Sequence, residues 1–103
     1  MENIKQHLLD GTVNELKEKD GEIKKSDEEI ELLTAKIKVE KRFFELKDIT
    51  DEIREDVKYS LEALEGMLMM EKDKNSQLKK EFEVLRIRKQ VIRDKFEEGD
   101  FKY

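Results

Sequence analysis

Few side chains in this sequence could do covalent chemistry. His7 is its only histidine, and no Ser or Thr stands beside it in a nucleophile motif. Cysteine is absent, which removes thiolate nucleophiles, disulfides and thiolate metal sites. The densest carboxylate run is Asp27, Glu28, Glu29 and Glu31. On a helix, successive residues are turned by about 100°, so these acids point round the axis instead of converging, and no EF-hand loop surrounds them. Carboxylates on solvated helix faces serve i to i+4 pairing and solubility. The expectation is no catalytic residue, no metal site, no cofactor and no enzyme activity.

What remains is electrostatic chemistry. Lys79, Lys80, Arg86, Arg88, Lys89, Arg93 and Lys95 stand against only Glu81, Glu83 and Asp94. Of these, Lys79, Lys80, Arg86, Arg88, Arg93 and Lys95 are the candidate contact for an acidic partner or a phosphate. Nucleic acid is disfavoured. The whole chain carries a net charge of -5, and in zipper-type DNA readers the basic helix precedes the zipper, whereas here the basic residues flank core positions. Residues 10–31 offer the complement within an assembly, with nine acids against Lys17, Lys19, Lys24 and Lys25.

The elements that must carry these charges are helices. Charged residues make up 48% of the 103 positions, proline is absent, and Ala, Glu, Lys, Leu and Arg supply 53 of the 103, close to the half that marks coiled coils. Leu, Ile, Val and Phe number 29, more than a disordered chain carries. In a long helix such residues are buried only against another helix. The opening MENIKQHLLDGTV lacks the basic start and apolar run of a signal peptide, and no stretch reaches the roughly 18 apolar residues of a membrane span. The expectation is a soluble, intracellular protein, cytoplasmic or nuclear, with no membrane partner.

Spacing specifies the seam. Leu9, Leu16, Ile23, Ile30, Ile37 and Phe44 lie seven apart, one row of a heptad. With that row as d, the a positions become Val13, Asp20, Asp27, Thr34 and Lys41, a poor companion. The C-terminal half is better formed: Leu61, Leu68, Asn75, Phe82, Lys89 and Phe96 at a, with Leu64, Glu71, Leu78, Leu85 and Ile92 at d. Asn75 and Lys89 read as selectors of register or partner. The predicted oligomer seam comprises the first row together with Leu61, Leu64, Leu68, Asn75, Leu78, Phe82, Leu85, Lys89, Ile92 and Phe96. Between the blocks, Leu46, Ile49, Ile53, Val57, Leu61 and Leu64 step by 3-4-4-4-3, which moves the stripe round the helix. Phe43, Phe44 and Tyr59 widen that face, so the centre can pack against more than one helix.

Breakers are few. Asp10-Gly11 and Asp20-Gly21 are turn-like, and Thr12 to Glu15 and Ser26 to Glu29 fit the capping box. The heptad row nevertheless crosses both glycines in phase. The organisation read from this is an N-terminal helical segment over 1–25 with breaks allowed at Gly11 and Gly21, a main coiled-coil helix over 26–97 with a phase change near 44–61, and a tail over 98–103. The fold class is all-α: a long coiled-coil rod, one near-continuous helix per chain, assembling with other helices. A single such helix would reach about 150 Å. A hairpin bend at 47–56 has no Gly or Pro to make it.

The functional expectation is a non-catalytic structural, scaffold or tether protein, of cytoskeletal type, that mediates oligomerisation. Its partners are itself, as a dimer or higher oligomer, or other helical proteins. A parallel homodimer sets Lys74 against Lys79 and Arg88 against Arg93, so the charges favour antiparallel chains, with partner numbers summing to about 105. The rival reading is an adaptor helix in a heteromeric three- or four-helix bundle; a weaker one is an acidic-surface binder through 79–95.

Overall fold

The structure, a computed structural model, describes residues 2–98, and the side chains of residues 4–95. It contains two helices, α1 (Glu2–Phe44) and α2 (Asp51–Glu98), and no strand among the described residues. The all-α reading therefore stands, with long helices as its only elements. The helix is interrupted once, at 45–50, where the spacing had suggested near-continuity.

That interruption needs neither glycine nor proline, because side chains close it. A helix end leaves its last carbonyls without intrahelical donors. Here the Arg54 guanidinium donates to the Phe44 carbonyl, and to that of Leu46 at 3.0 Å. It also lies over the Phe44 ring, 5.4 Å from the centroid, a cation–π contact. Thr50 caps α2 by accepting from the Ile53 amide at 3.2 Å. Lys41 and Arg42 at the end of α1, and Asp51 and Glu52 at the start of α2, suit the two helix dipoles. The step change in hydrophobic spacing near 44–61 falls where the chain turns.

Upstream, α1 runs through Gly11 and Gly21 without a break. Thr12 and Ser26 are thus not caps. Thr12 Oγ1 donates to the Leu8 carbonyl one turn back at 2.9 Å, and Ser26 turns to α2, as described below. The tail expected over 98–103 lies, beyond Glu98, outside the described residues.

The chain divides into two units, residues 1–24 with 76–103, and residues 25–75. The second is an antiparallel helix pair joined by the 45–50 turn. Its register is set where Asn75 Nδ2 donates to Ser26 Oγ at 3.1 Å, so residues whose numbers sum to about 101 lie level. In the first unit, Lys19 Nζ reaches Glu81 Oε2 at 2.7 Å, and Glu15 lines the same groove as Arg88. The two helix segments run oppositely there too. Within each unit the two helix segments are thus antiparallel and level near a sum of 101.

Candidate helix-docking surface

The seam is a heptad in both helices. In α2 every residue of the two rows, Val57, Leu61, Leu64, Leu68, Glu71, Asn75, Leu78, Phe82, Leu85, Lys89 and Ile92, is buried or half-buried. In α1 the row Leu9, Leu16, Ile23, Ile30, Ile37 and Phe44 is likewise shielded. These residues line the contact between helices of one chain. The side chain of Phe96 lies outside the described residues.

The companion row of α1 differs from the one the apolar spacing suggested. Thr12, Ser26 and Leu33 are buried and Lys19 and Glu40 half-buried, whereas of the row the spacing suggested none is buried: Val13, Asp20 and Thr34 are half-buried and Asp27 and Lys41 exposed. The Leu9 row is therefore the a row and Thr12 begins the d row. The physical reason is that Thr12 and Ser26 bury hydroxyls whose hydrogen bonds are satisfied, at little cost, whereas two Asp would have entered the seam in the other phase.

Asn75, 6% exposed, is the centre of a polar cluster. It donates to Ser26 Oγ and, at 2.9 Å, to Asp27 Oδ1, while Ser26 Oγ donates to Glu71 Oε2 at 2.8 Å. A slip of one heptad would set Asn75 opposite Leu33 or Lys19 and break these bonds, so the cluster selects the alignment of α1 on α2.

Beyond the seam the two flanks of residues 25–75 differ. Reversing one helix of a coiled coil brings the g rows together on one side and the e rows on the other. The groove of the first unit shows this arrangement: Glu15, Glu81 and Arg88 of the g rows line it with Gln77 and Val84 of the c row. In residues 25–75 the e flank is polar, with Asp27, Thr34 and Lys41 on α1 and Lys58, Glu65 and Lys72 on α2. The g and c rows carry Leu32, Val39, Phe43 and Leu46 from α1 and its end, with Ile53, Ala63, Met67 and Met70 from α2. All are exposed, Val39 at 64% and Met70 at 74%. Leu32, Val39 and Leu46 are themselves spaced by seven. That spacing was legible in the sequence but is hidden beside the stronger Leu9 row.

Val39, Arg42, Phe43 and Leu46, with Lys38, line an open depression of about 410 Å³. Their spacing of i, i+3, i+4 and i+7 is the diamond into which a knob from a neighbouring helix fits. Methionines on the same flank suit a surface that adapts to its partner.

The basic stretch is dispersed. Lys79, Arg86 and Arg93 fall on the e row, Arg88 and Lys95 on the g row and Lys80 on the f row, all exposed. Arg86 pairs with Glu83 at 2.5 Å; that hydrogen bond raises the guanidinium pKa and lowers that of the carboxyl. Lys19 threads its stem from the seam to Glu81. The hydrogen bond from Lys19, then that from Gln77, holds the Glu81 carboxyl below its ordinary range, and the bond to Glu81 raises Lys19.

Among the described residues no group of three or more His, Cys, Asp or Glu could hold a metal ion, and no helix is long and apolar enough to cross a membrane. No family model, no curated protein and no solved structure matches this chain.

Proposed function

We propose that this protein is a non-catalytic helical scaffold that assembles with further helices through the g and c flank of residues 25–75. The observation that carries the reading is the exposed apolar flank beside a seam already filled within the chain. Contiguous exposed apolar patches on soluble proteins mark interaction sites. Helix-in-groove recognition uses such a surface, with anchors at i, i+3, i+4 and i+7. The sequence-level alternatives of scaffold and bundle adaptor then merge: the chain brings two helices of its own and takes others on one side.

Because there is no native cysteine, thiol labelling tests this directly. Met67→Cys places a thiol on the apolar flank and Glu65→Cys places one on the polar flank. In the cells that make the protein, Cys at 67 should be protected from a membrane-permeant maleimide while Cys at 65 reacts. Equal and rapid labelling of both would show the apolar flank uncovered and end the scaffold reading.

A further inference from the structure

The chain has four methionines, and three of them, Met67, Met69 and Met70, fall within one turn of α2. Methionine ordinarily fills irregular gaps in a core. None of these three does. At their level the seam is filled by Leu64 and Leu68 of α2 with Leu33 and Ile37 of α1, in the register near 101. The methionines stand outside it, 52%, 67% and 74% exposed. Met67 and Met70, three residues apart, share the g and c flank, whereas Met69 is turned about 160° from Met67, onto the b row. Elsewhere the same flank uses Leu32, Val39, Leu46 and Ile53, whose hydrocarbon side chains a mild oxidant leaves unchanged. A thioether is the apolar side chain whose polarity such an oxidant reverses. With no Cys and no Trp in the chain, methionine sulfur is also where a hydroperoxide reacts first.

We propose that Met67, Met69 and Met70 are a modification site for hydroperoxides, and that sulfoxides at Met67 and Met70 switch off the apolar flank while the helix pair of residues 25–75 stays folded. The switch depends on the flank being a docking surface, as proposed above; the oxidation site does not. The sulfur lone pair attacks the peroxide oxygen that carries the proton. The S–O bond forms as the O–O bond breaks, and that proton passes to the departing oxygen, which leaves as water or an alcohol. The thioether is thereby oxidised by two electrons and the peroxide reduced by two. The sulfoxide is a hydrogen-bond acceptor, and burying it without a donor costs free energy, so it opposes the docking of an apolar helix face. The seam is untouched, because Leu33, Ile37, Leu64 and Leu68 carry no sulfur. Met69 takes the same oxygen on the other side of α2 and leaves the flank as it was.

The test begins with the purified full chain in hydrogen peroxide, followed by peptide mass spectrometry and circular dichroism. Met67, Met69 and Met70 should each gain one oxygen at about the rate of free methionine, as exposed thioethers do, and the oxidised chain should keep its helical signal and a cooperative melt. Much slower oxidation of Met67 and Met70 than of Met69, or loss of the cooperative melt on oxidation, would overturn the site. The switch is read in cells without peroxide, so that a reporter thiol is undisturbed. Ala63→Cys puts that thiol on the flank, and Met67→Gln with Met70→Gln stands in for the two sulfoxides. The thiol of Ala63→Cys should be protected from a membrane-permeant maleimide, and the glutamine pair should raise its labelling to that of Glu65→Cys. Met69→Gln should leave it protected, which separates loss of docking from a general effect of glutamine on the helix. Protection that survives the glutamine pair overturns the switch and leaves the scaffold reading intact. A thiol that labels rapidly with all methionines in place instead refutes the scaffold reading, and the switch falls with it.

Discussion

Residues 25–75 and the unit formed by 1–24 with 76–103 share one heptad geometry yet fill it differently. In the former, Leu33, Ile37 and Val57 are buried from both helices, and Leu33 is only 2% exposed. In the latter, among the described residues, the buried apolar residues Leu78, Leu85 and Ile92 all come from α2, and the one buried residue from α1 is Thr12. Lys19 and Lys89 occupy further seam positions there. A hydrophobic repeat therefore fixes the geometry of a helix pair more cheaply than it fixes the strength. A seam needs shielded positions at the right spacing, but those positions can hold hydroxyls and snorkelling lysines at a cost in apolar burial.

The largest effect should come from cutting the two-sided core. Leu33→Ala is expected to destabilise by about 3 kcal/mol, since a fully shielded leucine leaves both lost transfer energy and a cavity. Leu85→Ala should cost less, because Leu85 borders the open groove with Glu15 and Arg88, where water can enter. Chemical denaturation of both variants checks the order; equal losses would erase the distinction between the units.

Next in size, Asn75→Ala should cost about 1–2 kcal/mol by removing two side-chain hydrogen bonds, one of them to a carboxylate. The sequence reading alone suggested a selector of register or partner. The bonds to Ser26 and Asp27 make it a positive contributor once alanine is the reference. A melt of the variant at unchanged mass decides the sign.

A change in the opposite direction sharpens the comparison. Thr12→Leu combined with Lys89→Leu should raise stability by about 1–2 kcal/mol through added apolar burial, and should slow amide exchange in 4–24 and 76–95 towards the rates of 25–75. No gain would mean that something other than seam polarity sets the first unit apart.

The smallest expected effect is the pH response of Lys19 and Glu81. Glu81 titrates lower in the folded chain than in the unfolded one, so its contribution is present above the ordinary carboxylate pKa and fades as pH falls through the lowered value. Lys19 is raised, so its contribution is present below the ordinary lysine pKa and fades as pH rises through the folded value. Glu81→Gln should therefore melt slightly below wild type at neutral pH and coincide with it in acid. A constant difference across that range would assign the loss to packing.

Much of this architecture was legible in the residues. The α2 rows from Leu61 to Ile92 and the Leu9 row of α1 follow from apolar spacing, because burial against a neighbouring helix demands that spacing. The d row of α1 was not legible, since Thr12, Lys19 and Ser26 contribute no hydrophobic signal and their shielding depends on bonds to the preceding turn and to α2. The turn at 45–50 was hidden for a similar reason: it is closed by a residue beyond it, Arg54, and not by glycine or proline within it. The exposed flank was half visible, in the widening near Phe43 and Tyr59, but its sidedness required knowing that α1 folds back on α2.

The Arg54 closure has a kinetic consequence. Six residues separate the helices, so bringing Phe44 and Arg54 together closes a short loop at small entropic expense. Every later layer of 25–75 then adds beside one already formed. Folding of this unit should start at the turn and zip outward to Asn75, with low contact order and correspondingly high speed. The register is then enforced twice, first by the stapled turn that starts the zipper and last by the polar cluster that refuses a misaligned end.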